Sequence, residues 1–219
     1  MRYIDKSKRR CTDFDNYVVA KRPRKWKKFD KDIKLKLHQH LLNEQQHLCV
    51  YCQQSVPKKH VKDNAPLVIH PSHVEHVRPK DEKQYPHLTF DYLNLAVSCN
   101  GFDVNNTLVN TYDFCGHPKD NIYDEMLFLH PFETLDIEDY FNYTINGEIK
   151  ATIKDVNRAN YTIKTLQLDN AILNAMREEQ YLIIAEETLN NALDIATYLD
   201  ENQIELPKFY SMLKQLFFI

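Results

Sequence analysis

Four cysteines limit most tightly what this chain can become. Cys49-Val-Tyr-Cys52 puts two thiols on one tight turn, where both can point at a single ion. Cys99 and Cys115, with 15 residues between them, can complete a four-thiolate tetrahedron, the geometry that structural zinc prefers. Residues 100–114 then form a loop whose two ends the metal holds together. Such a site has no open position, so its metal serves structure and not catalysis. The competing reading is that Cys99 and Cys115 are ordinary buried thiols. Disulfides are disfavoured by the expected compartment. The opening MRYIDKSKRR lacks the apolar core of a secretory signal, and no apolar run reaches the roughly 18 residues of a membrane span. The chain is therefore expected to be cytoplasmic, where thiols stay reduced, and to have no membrane partner. Cys11 is left as a free thiol.

Charge is unevenly distributed. Residues 1–37 hold 14 of the 28 Lys and Arg and 5 of the 31 Asp and Glu, a local balance of +9 on a chain of net charge −3. Residues 122–219 carry 7 basic and 17 acidic groups. A basic arm on an acidic body suits contact with a polyanion at one end, and nucleic acid is the expected partner. Tyr17, Trp26 and Phe29 lie among the basic residues, where they can stack on bases or dock the arm onto the core. Only three glycines occur, so a glycine-rich phosphate loop is not expected.

The expected fold class is α+β, in three stretches: a basic N-terminal arm (1–30), a metal-bearing core (31–125) and a C-terminal hairpin plus helical region (126–219). Asp30 is a plausible N-cap for a helix carrying Ile33, Leu37, Leu41 and Leu48 towards Cys49. Tyr143-Thr-Ile145, Asn146-Gly147 and the run from Glu148 to Ile153 predict a hairpin with a type I′ turn. Ile163, Leu166, Leu173 and Met176 predict a helical stripe, followed by a second helical stretch over Leu182–Leu199. Pro207 breaks it before a last short helix. These stripes read as core.

Between and after the cysteines lie His73-Val-Glu-His-Val-Arg-Pro-Lys80, Tyr92-Leu-Asn-Leu-Ala-Val-Ser-Cys99 and Gly116-His-Pro-Lys-Asp-Asn121. The order of cysteine pair, acidic residue and His, Asn-Leu, further cysteines, then a polar residue and Lys resembles the HNH family, the ββα-metal endonucleases. The likeness covers residues 49–121. It implies a ββα-metal core with a structural zinc site, and phosphodiester hydrolysis of nucleic acid assisted by Mg2+ or Mn2+. His76 is then the candidate general base, since imidazole titrates near physiological pH. Glu75 and His117 are the candidate ligands of the catalytic ion. Asn94 would hold the loop carrying His76, and Arg78, Lys80 and Lys119 would contact phosphate.

Two departures leave the ligand set open. Family members often carry Asn directly after the last cysteine, where this chain has Gly116, so the role can pass to His117, Asn121 or Asn100. Glu75 and His76 would face opposite sides of a regular strand, while His73 shares a face with Glu75 and can serve as ligand instead.

A wider likeness spans residues 1–180 and points to PtuB-like HNH subunits of Septu and retron anti-phage systems. It rests on the opening Met-Arg-Tyr-Ile, on Cys-Val-Tyr-Cys, on Cys-Gly-His-Pro-Lys-Asp-Asn, and on Thr162-Ile-Lys-Thr-Leu-Gln-Leu-Asp-Asn170 followed by Leu173 and Arg177. It implies a nuclease effector of antiviral defence, controlled by a PtuA-like ABC/SMC-type ATPase, with a retron reverse transcriptase and its msDNA as further partners. The acidic helical region would be the docking surface. The alternative function is a non-catalytic, zinc-stabilised adaptor that binds nucleic acid or protein.

Overall fold

The structure, a computed structural model, describes residues 1–8, 10–57, 72–80, 84–101 and 113–218. Most of the 100–114 loop expected between Cys99 and Cys115 lies outside them. The architecture is mixed α+β, with seven α-helices and two separate two-stranded antiparallel sheets among the described residues.

Helix α1 (Thr12–Lys21) buries Phe14 and leads through a short turn at Trp26 to α2 (Lys31–Glu44). Asp30 starts α2 as its composition predicts. Its carboxylate accepts from the backbone N–H groups of Asp32 at 2.9 Å and Ile33 at 3.0 Å, satisfying donors that have no partner inside the helix. Leu37, Leu41 and Leu42 on its inner face are fully buried.

That face covers a sheet of β1 (Ser72–His76) and β2 (Leu95–Cys99). The register pairs Ser72 with Cys99, Glu75 with Ala96 and His76 with Leu95. Side chains alternate along a strand, so Ser72, Val74 and His76 leave one face while His73 and Glu75 leave the other. Buried Gln45, just past α2, ties helix to sheet. Its amide accepts from Val97 N–H at 2.7 Å and donates to the Val97 carbonyl at 2.9 Å. The one-turn helix α3 (Gly116–Lys119) follows Cys115.

The C-terminal region opens with the hairpin of β3 (Phe141–Tyr143) and β4 (Ile149–Ala151), Phe141 facing Ala151. Its turn is not type I′, which would need positive φ at two successive residues. Gly147 alone is left-handed there, at φ +76°, and its N–H donates to the Thr144 carbonyl at 2.9 Å. The loop is thus three residues long, 145–147, and closes on glycine. The reason is packing: a Cβ at Gly147 would lie 2.0 Å from the Asn174 carbonyl oxygen.

Asp155 caps α4 (Val156–Thr165) and Asn170 caps α5 (Ala171–Leu189). The helical stretch expected over Leu182–Leu199 is divided, α5 ending at Leu189 and the short α6 (Ile195–Tyr198) following. After Pro207, α7 (Tyr210–Phe217) returns to the core.

One cluster of buried side chains runs through all three stretches, from Met1, Ile4 and Phe14 to Met212 and Leu213. Backbone bonds join them: Ile4 N–H to Pro131 at 3.0 Å, Cys115 N–H to Leu166 at 2.8 Å and Phe209 N–H to Gln53 at 2.8 Å. Residues 1–30, basic as they are, include Phe14 and Phe29 as core residues. Trp26 stacks on Phe29, with ring centroids 5.3 Å apart. No helix among the described residues is long and apolar enough to cross a membrane.

Candidate metal centre and adjoining polar cluster

The chain reaches Cys49 by reversing after α2 through two left-handed residues, Gln46 (φ 50°) and His47 (φ 65°). Cys49 N–H then donates to the Gln54 carbonyl at 2.9 Å, and Gln53 N–H returns to the Cys49 carbonyl at 3.1 Å. This closed turn presents both thiols of the Cys-x-x-Cys pair to one side. Cys99 ends β2, and Cys115 immediately precedes α3. The four sulfurs lie within 4.8 Å of one another, all are buried, and none is in a disulfide.

The four-cysteine group is positioned to hold a metal ion. Cys52 and Cys99 sulfurs are 3.6 Å apart, and Cys115 is 3.7 Å from both Cys49 and Cys99. A tetrahedron of sulfurs about 2.3 Å from a central zinc ion has edges of about 3.8 Å, so the set fits such an ion closely. Two backbone amides already point at sulfur: Cys99 N–H at Cys49 Sγ (3.3 Å) and Gln54 N–H at Cys52 Sγ (3.4 Å). Such donors favour the thiolate. Burial alone would push the Cys49 thiol up, but hydrogen bonds from Cys115, Cys52 and Cys99 hold it well below the usual thiol range. Cys115 adopts φ 70°, ψ −132°, a left-handed-side conformation costly for a residue with a Cβ. A metal bond at its sulfur offsets that strain.

On the His73 and Glu75 face of the sheet, beside Cys115 and α3, polar groups converge. Glu75 Oε1 lies 3.0 Å from the Lys119 ammonium and accepts from the Tyr51 hydroxyl at 3.1 Å, while Oε2 is 3.2 Å from His73 Nε2. Burial disfavours the charge, but Lys119 and His73 outweigh it and hold the carboxyl at about 2. His73 Nδ1 is 2.6 Å from Asn100 Oδ1, and His117 Nε2 is 3.1 Å from the same oxygen. His73 thus donates to the amide oxygen on one side and to a carboxylate on the other, the pattern of an imidazolium. Its pKa is raised despite burial. The His73 and His117 rings lie 4.8 Å apart between centroids, and burial with the His73 charge lowers His117. Gly116 allows this close approach, because a Cβ there would sit 2.8 Å from Glu75 Oε2 and 3.0 Å from His73 Nε2.

The other sequence candidates are placed differently. His76 is on the opposite face of β1. Its Nε2 is 3.0 Å from the Thr89 carbonyl, Trp26 meets its ring edge-on at 4.6 Å, and its Nδ1 is buried without a hydrogen-bond partner among the described residues. Burial, with Lys80 nearby, lowers its pKa to about 4. Asn94 is not in the polar cluster either. Its side chain clamps the backbone just past His76, accepting from Arg78 N–H at 2.8 Å and donating to the Arg78 carbonyl at 2.9 Å. Arg78 is held by two carboxylates, Glu125 at 2.8 Å and Glu133 at 2.7 Å. Lys119 is buried and committed to Glu75 and to the His76 carbonyl at 3.2 Å. Lys80 and Asn121 are exposed.

The structure therefore joins Glu75, His117, His73 and Asn100 with Lys119, and leaves His76 behind the strand. Tyr51, which bonds Glu75, was not singled out in the sequence. Its place inside the Cys-x-x-Cys turn is the signal that could have found it, since that turn abuts β1. No protein-family model matches this chain, and neither does any curated protein.

Proposed function

We propose that the chain is an HNH-type endonuclease, hydrolysing phosphodiester bonds of nucleic acid with a divalent metal, on a ββα core fixed by zinc at Cys49, Cys52, Cys99 and Cys115. The observation that carries this reading is the convergence of Glu75, His73, Asn100 and His117 on one face of a two-stranded sheet beside the cysteine centre. A carboxylate held ionised, two imidazoles and an amide oxygen form a donor set for a cation, and nothing in the surrounding packing requires them together. Mg2+ or Mn2+ there would stabilise charge developing on a phosphate. Binding it displaces the His73 proton, so metal affinity rises with pH. His76, at the end of β1 with its backbone clamped by Asn94, serves as general base once its ring swings away from Thr89 and Trp26. Lys80, exposed nearby, is the free cation for phosphate.

By the likeness of residues 1–180 to PtuB-like subunits, we extend the proposal to an antiviral effector gated by an ABC/SMC-type ATPase. The zinc-stabilised adaptor remains the second reading, and the burial of His76 beneath Trp26 favours it. The test is incubation of the purified chain with end-labelled DNA and RNA, single- and double-stranded, with Mn2+, Mg2+ or chelator. The proposal predicts metal-dependent cleavage that His117→Ala weakens. No cleavage of any substrate, with the ATPase present or absent, favours the adaptor.

A further inference from the structure

Arg177 is a buried cation whose hydrogen-bonding partners are all neutral. Its side chain comes from the inner face of α5 and is 1% exposed. Its Nη1 donates to the carbonyls of Gly147 at 3.1 Å and Leu168 at 2.9 Å, and to Asn174 Oδ1 at 3.0 Å. Its Nε has no partner among the described residues. The Tyr143 ring lies 5.5 Å from the guanidinium carbon. A guanidinium removed from water without an anion is strongly unfavourable. The groups that act on it most are Tyr143, Cys52, Cys115 and Asp169. Tyr143 is held protonated, its phenol pushed up to about 12. Asp169 is exposed, and its carboxylate accepts from Asn174 at 2.7 Å. The remaining anionic partners are the metal-binding cysteines. A divalent ion in four thiolates carries two net negative charges, and that centre is itself buried.

We propose that Arg177 is the counter-charge of the four-cysteine metal centre, a positioning residue that lets a dianionic metal–thiolate group persist in the core. The inference rests on the zinc reading of that centre and not on catalysis. It joins two buried charges that are each unfavourable alone. It also explains the backbone stitching between them. Cys115 N–H bonds the Leu166 carbonyl at 2.8 Å, and two residues later the Leu168 carbonyl accepts from Arg177. Gly147, whose Cβ would lie 2.9 Å from the Arg177 Cβ, lets the β3–β4 turn close over the side chain.

The test is zinc affinity by chelator competition on the full-length chain, comparing wild type with Arg177→Met and Arg177→Lys. Outer groups that support a metal site typically change affinity by about 10- to 100-fold when removed. A loss in that range is expected for Met, and a loss within about threefold for Lys, which keeps the charge. A purely structural arginine would lower Tm without moving zinc affinity, so a folded Met variant with wild-type affinity overturns the proposal. If the Met variant does not fold, the Lys variant decides. Folding with near-wild-type affinity supports the proposal. Tenfold weaker binding or failure to fold overturns it, because the fixed hydrogen bonds and not the charge would then be what matters. A wild-type chain that takes up no zinc overturns the zinc reading itself, a separate result.

Discussion

Glu75 and His76 are neighbours in β1 and leave it in opposite directions. The Glu75 carboxylate is 3.0 Å from the Lys119 ammonium on one side, and the His76 ring meets Trp26 edge-on at 4.6 Å on the other. The pairing of Glu75 with Ala96 and of His76 with Leu95 fixes this division. A slip of one residue would exchange the two faces. Reaction at a single phosphate by both side chains therefore requires His76 to change rotamer.

Removing one thiolate tests the metal centre. Cys49→Ser or Cys115→Ser should lose stoichiometric zinc and most of the cooperative thermal transition, because metal binding and folding are coupled. Metal analysis and circular dichroism check it. Treatment of the wild type with a strong chelator should have the same effect.

Gly116 is the tightest steric point of the polar cluster. Gly116→Ala would place a methyl 2.8 Å from a buried carboxylate oxygen and 3.0 Å from His73 Nε2, neither at the end of a freely moving chain. The expected cost is about 1–3 kcal/mol of stability, typical of overpacking, with weakened divalent-metal binding. Urea unfolding and metal titration read the two effects.

Asn94 serves the backbone on both its amide atoms. Asn94→Ala leaves the Arg78 N–H and carbonyl without their bonds of 2.8 and 2.9 Å in a buried setting. A loss of about 2–4 kcal/mol is expected, each unsatisfied group costing roughly 1–3 kcal/mol. Asn94→Asp should recover only the bond accepted from Arg78 N–H.

His130 confers a pH dependence. It is buried, its Nδ1 accepts from Phe132 N–H at 3.3 Å, and burial lowers its pKa from 6.5 to about 4. As pH falls below 6.5, the unfolded chain takes up a proton that the folded chain refuses. Stability from the neutral ring is therefore complete above pH 6.5 and declines until about pH 4. The full decline is roughly 3 kcal/mol. Urea unfolding at pH 7.5 and pH 4.5 should show the wild type losing more stability than His130→Gln.

The α+β class, the Asp30 cap, the hairpin's location and the four-cysteine set were legible in the sequence, because each is local or rests on chemistry that few residues can perform. The turn type was not legible. Asn-Gly satisfies a type I′ turn by propensity, yet the approach of Asn174 to Gly147 decides the conformation, and that contact joins distant segments. The docking of Trp26 over His76 was hidden for the same reason: charge dominates residues 1–30 on paper, while Phe14 and Phe29 anchor them in space. The alternation that separates Glu75 from His76 and pairs Glu75 with His73 could be read directly from strand periodicity.

The most direct measurement is metal-dependent cleavage of labelled nucleic acid by His76→Ala, compared with wild type at equal zinc content and equal Tm. The account predicts robust cleavage by wild type with Mn2+ or Mg2+, and a loss of about 10²- to 10⁴-fold in the variant, the usual effect of removing a general base. Cleavage by the variant at the wild-type rate would contradict it.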